Sequence, residues 1–489
     1  MASPSPLTTV TANQSGRLPE SALVTVTRTQ KYVLVGLLAS IPAAALLAGW
    51  RSVGVALFAL IAAFYLADLI FSTYLVSTSM RTTTAAPRTV AALDPWPTFS
   101  VLCPMYREAA ILPQFVRGMT SLDYPPSSLQ ILLLLEEDDV ETQAAVRDSR
   151  LPPQFEVVVV PDSSPKTKPK ACNVGLQLAI GDYVVIYDTE DIPEPDQLKK
   201  AALTFASTPG RVACLQASLN FYNVRQNLLT RLFTAEYSLW FDLLLVGLQR
   251  FGGPIPLGGT SNHFRAHVLR GLGGWDPYNV TEDCDLGVRL YKQGFRTQML
   301  DSTTYEEANS RLANWIRQRS RWIKGYIQTV LVHTRGGWRL NRGLDFHFLT
   351  FLAVVGGKVA TNFINPVMWA LTLSYFLFRD SIGTSVESLF PGPVFYAAVV
   401  ALVGGNLMFV YTFLLGSASR GDWDLIKYGL LAPFYWLMMS VAAVYALAQL
   451  IRRPHYWEKT VHGLHLRGDT SAFAIEARTS HAPDWQGRS

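Results

Sequence analysis

Residues 183–191 read Tyr183-Val184-Val185-Ile186-Tyr187-Asp188-Thr189-Glu190-Asp191, an apolar run that passes straight into acids. A short, unbroken apolar run closed by polar residues is the pattern of a strand buried on both faces. The pattern recurs at Leu129–Leu135, which runs into Glu136-Glu137-Asp138-Asp139, and at Phe99–Cys103 and Phe155–Val160. Helix-like stretches, Ala109–Thr120 and Lys170–Ile180, separate these runs. Strand–helix alternation predicts an α/β domain with a doubly wound, mostly parallel sheet. Ligands of such sheets sit beyond the carboxyl ends of the strands, where both acidic clusters fall.

Outward from that stretch, residues 96–342 have the texture of a soluble domain, and the flanks do not. Of 489 residues, 49% are hydrophobic and only 16% charged, against about 25% charged in ordinary domains. This composition excludes disorder, collagen and a disulfide-stapled scaffold. Residues 1–30 are rich in Ser, Thr and Pro and are expected to be a disordered tail. Tyr32–Trp50 and Val53–Val76, the latter broken only by Asp68, are each long enough to cross a bilayer and predict a helical hairpin over 31–77. Arg17, Arg28, Lys31, Arg81 and Arg88 flank the hairpin and predict cytosolic flanks, with the domain in the cytosol under a plasma or inner membrane.

Residues 343–451 hold three more apolar stretches, Phe346–Phe378, Pro393–Gly416 and Ile426–Ile451. The first reads as an interfacial helix to about Val359 followed by a span. Three crossings would put residues 452–489 outside, whereas Arg452, Arg453, Lys459 and Arg467 argue for the cytosol. Four spans, with Ile426–Ile451 lying in the interface, reconcile the two. Cys103, Cys172, Cys214 and Cys284 form no C-x-x-C pair and are expected to be free thiols. A net charge of +5 without a basic tract points to a membrane face rather than to nucleic acid.

Carboxylates two residues apart, such as Asp188 and Glu190, can face one hard cation, Mg²⁺ or Mn²⁺, that bridges a diphosphate. The plain alternative is a solvated acidic turn. A third cluster, Thr281-Glu282-Asp283, precedes a helical pattern over Leu286–Tyr291. Helix capping needs one acid, and here Glu282, Asp283 and Asp285 all stand at the start. The fourth feature is Gln318-Arg319-Ser320-Arg321-Trp322. On a helix Gln318, Arg321 and Trp322 share a face. Arginine's planar fork suits a diphosphate, and tryptophan offers a stacking plate. The bland reading is a basic juxtamembrane anchor, which Arg317, Arg319 and Lys324 would also serve.

In this order the motifs resemble those of membrane-integrated family 2 glycosyltransferases, the cellulose, hyaluronan and chitin synthases and their bacterial relatives. The resemblance covers about 225 residues of ordered motifs and, through the membrane layout, most of the chain. It implies a GT-A-like domain between membrane helices. Pro104, Tyr106 and Glu108 stand in the segment on which the nucleotide base rests. Glu136, Glu137 and Asp138 stand at the uridine-binding Asp pair, and Lys168 and Asn173 in a K-A-G-x-x-N-like stretch. Asp188 and Glu190 occupy the metal-binding D-x-D. Glu282 and Asp283 belong to T-E-D, whose Asp is the base. Gln318, Arg321 and Trp322 form Q-x-x-R-W, implying diphosphate contact by Arg321 and acceptor stacking by Trp322. Gly259 and Thr260 only loosely echo the acceptor segment F-F-C-G-S. The departures, D-x-E for D-x-D and Glu-Glu for the Asp pair, keep the carboxylate on a longer arm, and Asp191 is a substitute ligand. Arg452–Thr460 is similar to the gating loop F-x-V-T-x-K.

The implied activity is inverting transfer from a nucleotide-sugar donor, UDP-glucose by default, to a growing β-linked polysaccharide, coupled to export with a partner or a second copy. The alternatives are a single transfer to a membrane lipid, and a non-catalytic scaffold or channel.

Overall fold

The computed structural model describes residues 8–9, 18, 20–81, 93–335 and 346–459. Its centre is a nine-stranded mixed sheet. Phe99–Met105 pairs in parallel with Leu129–Glu136 on one side and Tyr183–Ile186 on the other, and Leu129–Glu136 pairs in parallel with Phe155–Val160. Every residue of Leu129–Glu136 is buried, which is why that run carries no polar alternation. Asn262–Arg265 then runs antiparallel between Tyr183–Ile186 and Val212–Phe221, and Arg296–Glu306 lies parallel beside the latter. Two-residue strands, Thr8–Thr9 and Ile192–Pro193, close the edges.

Register decides where the chemistry falls. Met105 stands opposite Leu135, and Leu102 opposite Ile186, so Tyr106, Glu136 and Asp188 emerge at one edge of the sheet. The helix Lys168–Leu178 covers one face, and its Asn173 reaches across the fold. Its amide donates to the Trp275 carbonyl at 2.8 Å, and its carbonyl oxygen accepts from the Trp275 N–H at 2.9 Å. The turn it grips requires glycine. Gly274 has φ +69°, and a Cβ there would lie 2.2 Å from the Asn173 oxygen.

Outside the domain, five helices among the described residues are long and apolar enough to cross a membrane: Arg28–Ala48, Trp50–Met80, Phe348–Leu377, Gly392–Ser419 and Trp423–Arg452. The first two form the expected hairpin, turning on Gly49 alone. Two expectations are revised. The stretch from Phe346 is one continuous helix to Leu377 rather than an interfacial piece and a span, because its glycines are absorbed in a π-helical turn, Leu352–Gly357. Its first turns still pack on the domain, Phe351 and Val355 clustering with Cys284 and Val288. The expected tail over 1–30 also stops short. From Glu20 the chain is pinned, the Ala22 N–H and Ser21 hydroxyl donating to Asp276 at 2.6 and 2.9 Å, and the first helix begins at Arg28. The rest of that tail, apart from Leu18 and residues 8–9, and all of 460–489 lie outside the described residues.

The ends of the apolar helices are fixed by contacts. Arg51, at the hairpin turn, donates to the Ser388 carbonyl at 3.2 Å, and Phe58 packs on Phe390 with ring centroids 4.7 Å apart. At the opposite ends Arg420 pairs with Asp242 of the domain, and Arg225 with Asp424 at 3.1 Å. Residues 454–459 return to the domain: Lys324 donates to the Tyr456 carbonyl at 2.7 Å and Gln328 to the Pro454 carbonyl at 3.0 Å.

Candidate active site

Two acidic segments and one basic helix converge on a cavity of about 430 Å³. Asp188 and Glu190 come from the end of Tyr183–Ile186, and Thr281, Glu282 and Asp283 from the start of the helix Glu282–Lys292. Gln318, Arg321 and Trp322 come from the helix Leu312–His333. Lys168 stands between them, ion-paired with Asp188 and donating to the Gly259 carbonyl at 2.7 Å. Burial works against its ammonium, but the carboxylates of Asp188 and Glu282 outweigh that and hold its pKa above the usual lysine value.

Glu282 and Asp283 titrate apart. Burial and the adjacent Asp283 charge push Glu282 up to about 8. Burial also lifts Asp283, but the Cys284 N–H, donating at 2.7 Å, and the charges of Lys168 and Arg321 restrain it to about 6. Of neighbouring carboxyls so separated, the one with the lower pKa is the base near neutrality. Arg321 is buried close to these carboxylates, with its guanidinium 4.6 Å from the Trp457 ring centroid.

Around Tyr106 the acids divide their labour. Glu136 is buried and paired with Lys170 at 2.8 Å, so it serves the fold here rather than facing a base. Glu137 accepts from the Asp162 N–H at 2.9 Å. Asp138 is the acid beside Tyr106, whose hydroxyl lies 3.3 Å away, and it pairs with Lys166 at 2.7 Å. Pro104 lies within the strand that ends at Met105. Glu108 accepts from the Thr189 hydroxyl at 2.8 Å and pairs with Lys459 at 3.1 Å, while Lys459 also lies 5.4 Å from the Tyr106 centroid.

Of the expected acceptor residues, Gly259 sits beside Asp283, since a Cβ there would lie 3.4 Å from its carboxylate. Thr260 also lines the cavity, and its hydroxyl donates to Asp191. Gln318 accepts from Asn309 at 2.8 Å, and Trp322 lines the cavity. Among the described residues no group of three or more His, Cys, Asp or Glu side chains is arranged to hold a metal. The donor set nevertheless fits a divalent ion shared with a diphosphate: Asp188 and Glu190 flank the cavity, and the buried Asp191 Oδ1 has no hydrogen-bond partner. Burial, then the charges of Asp188, Glu306 and Glu190, raise the Asp191 pKa well above the carboxylate range, the signature of a place short of positive charge.

The cavity continues from these residues between the apolar helices. Tyr65, Asp68, Lys358, Asn362, Asn365 and Trp369 line it, with Lys358 and Asp68 3.5 Å apart. Sequence reading missed Glu236, Glu306 and Tyr435, which also line it. None sits in a local motif, and each gains its place only through long-range packing.

Residues 97–325 match the family described as "Glycosyltransferase like family 2". The chain is 24% identical over 315 residues to the "Probable glycosyltransferase YdaM" of Bacillus subtilis, covering 60% of this chain and 75% of that one. It is 25% identical over 395 residues to a "Beta-monoglucosyldiacylglycerol synthase" of Synechocystis, covering 76% of each. To the "Cellulose synthase catalytic subunit [UDP-forming]" of Komagataeibacter sucrofermentans it is 26% identical over 258 residues, covering 52% of this chain and 33% of that one. The mixed, mostly parallel sheet described above, set between apolar helices, is a GT-A-like fold.

Proposed function

We propose, from the family 2 glycosyltransferase domain that residues 97–325 form, that the chain is a membrane-embedded inverting synthase that lengthens a β-linked polysaccharide. The donor is a nucleotide sugar, with UDP-glucose the first to test. The observation that carries this reading is the continuity of one cavity from Asp283 and Trp322 to polar and aromatic side chains between the apolar helices. A hydroxyl acceptor can then occupy the catalytic end while its remainder lies among those helices.

Asp283 takes the proton of the acceptor hydroxyl as that oxygen attacks the anomeric carbon. The bond from that carbon to the diphosphate oxygen breaks, and the nucleoside diphosphate leaves with its electron pair. Arg321 and Lys168 face the charge that develops on the leaving group. Asp188 and Glu190 would hold a divalent cation, Mg²⁺ or Mn²⁺, which when bound neutralises that same charge. Trp322 stacks on the acceptor and fixes its approach. Tyr106 and Asp138 hold the nucleoside. In the present arrangement Lys459 and Trp457 stand over Tyr106 and Arg321, so donor entry requires residues 454–459 to move.

A lipid acceptor is the second reading. The alignment with the glucolipid synthase runs over 395 residues, past the domain and into the apolar helices, whereas that with the cellulose synthase runs over 258. Purified protein in lipid nanodiscs, given a panel of UDP- and GDP-sugars with Mg²⁺ or Mn²⁺, separates the two by nucleotide release and product size. High-molecular-weight product supports the synthase, and a single small product extractable into solvent supports the lipid reading. No release from any donor would sink both.

A further inference from the structure

We propose that Arg319, Glu236 and Tyr435 form a positioning device that sets the Trp322 ring and ties it to the last apolar helix. The acceptor half of this statement rests on the function proposed above. Arg319 is almost wholly buried, and its guanidinium grips Glu236 with both terminal nitrogens, one of them 3.0 Å from Oε1. Tyr435, from the helix Ala432–Arg452, closes the triangle. Its hydroxyl donates to Glu236 Oε2 at 2.6 Å and accepts from Arg319 Nη2 at 3.0 Å.

A two-pronged guanidinium–carboxylate pair fixes the plane of both groups, which an apolar contact does not. That plane bears on Trp322: the Arg319 carbon lies 4.6 Å from the Trp322 ring centroid and 4.3 Å from that of Phe233. The residue after Glu236 completes the seat. Tyr237 stacks on Trp322 with centroids 6.2 Å apart and planes at 28°. Two helices distant in sequence thus meet on one indole, and Tyr435 ties a third to them through Glu236 and Arg319. Arg319, Glu236, Trp322 and Tyr435 all line the cavity that holds Asp283. A purely structural joint could be built from apolar residues at no loss of stability, so a buried charge pair here points to orientation. Arg319 is therefore a positioning residue, distinct from Arg321, which faces the carboxylates.

The test labels the full-length protein with 5-fluorotryptophan in lipid nanodiscs. Among the 12 tryptophans the Trp322 line is assigned by its loss in Trp322→Phe. Arg319→Lys, Glu236→Gln and Tyr435→Phe should each shift and broaden that line and leave the distant ones in place. With UDP-glucose as donor and cellotetraose as acceptor, the KM for cellotetraose should rise about tenfold, the worth of one charge-assisted hydrogen bond, with the KM for UDP-glucose unchanged. An unmoved Trp322 line in all three variants overturns the proposal, as does a general shift of all lines with a lowered Tm. If the line moves while cellotetraose kinetics are indifferent even to Trp322→Phe, the positioning stands and the acceptor role of Trp322 falls.

Discussion

At the residue scale the decisive group is Asp283. In the role of base proposed for it, it must be ionised, and its pKa is pushed up to about 6 by burial. Lowering the pH through that value protonates it, so kcat/KM should fall about tenfold per pH unit below about 6 and level off above. A profile flat between pH 5 and 7 would remove Asp283 from the role. Asp283→Asn cannot accept the proton and should lower turnover by about 10²–10⁴-fold, with nucleotide binding retained by calorimetry. Asp283, Arg321 and Asp188 were legible in sequence because each sits in a compact pattern whose chemistry is local. Glu136 was legible only as an acid. That it is spent on Lys170 follows from the packing of a helix 34 residues later, which no local pattern encodes.

At the element scale the helices Glu282–Lys292 and Leu312–His333 carry Asp283 and the Arg321–Trp322 pair, and their separation is set by a glycine. A Cβ at Gly325 would stand 2.3 Å from the Thr281 hydroxyl. Gly325→Ala must push the helices apart, costing about 1–3 kcal/mol in thermal unfolding and lowering turnover more than donor binding. The last residue of the second helix, His333, joins it to the first turn of the other, its Nε2 facing Asp285 at 3.0 Å, while its Nδ1 faces Glu20 at 3.1 Å. Burial disfavours the imidazolium, but hydrogen bonds to Asp285 and Glu20 outweigh it and raise the His333 pKa, while Lys292 opposes. Arg289, Arg335 and Asp276 complete the charges around it.

A raised histidine pKa stabilises fully below the unfolded value, and the gain is lost as pH rises through the folded one. Stability should therefore fall by about 1.4 kcal/mol per pH unit above about 6.5 until the folded pKa is passed. Hydrogen exchange should show residues 20–27 loosening over that range, and His333→Gln should abolish the pH dependence. Protection that rises with pH would reverse the assignment. Strand positions were readable in sequence because burial on both faces leaves a continuous apolar run. The clasp was not, since Glu20 and His333 lie 313 residues apart.

At the scale of the whole molecule, contacts at the helix ends support a proposed count of crossings. Phe348–Leu377 starts against the domain at Phe351 and Val355 and is followed by Ser388, which meets Arg51 at the hairpin turn. Gly392–Ser419 returns, because Arg420 pairs with Asp242 of the domain. The stretch Trp423–Arg452 then begins beside Arg225 and ends where Pro454 and Tyr456 meet Gln328 and Lys324. Both its ends touch the domain, and on that ground we propose that it lies along the membrane face and that four of the five candidate helices cross. Charge alone pointed the same way, since Arg452, Arg453 and Lys459 prefer the cytosol, but the apolar pattern of Ile426–Ile451 could not distinguish a crossing from an interfacial helix packed on protein. The four native cysteines are buried, leaving introduced ones to report alone. In intact cells an impermeant maleimide should label Ser385→Cys and spare Arg453→Cys, which should react only after permeabilisation. Labelling of Arg453→Cys from outside would mean that Trp423–Arg452 crosses after all. Residues 454–459 would then be on the wrong side of the membrane to reach Arg321 and Glu108, and the need for that segment to move before donor entry would fall with them.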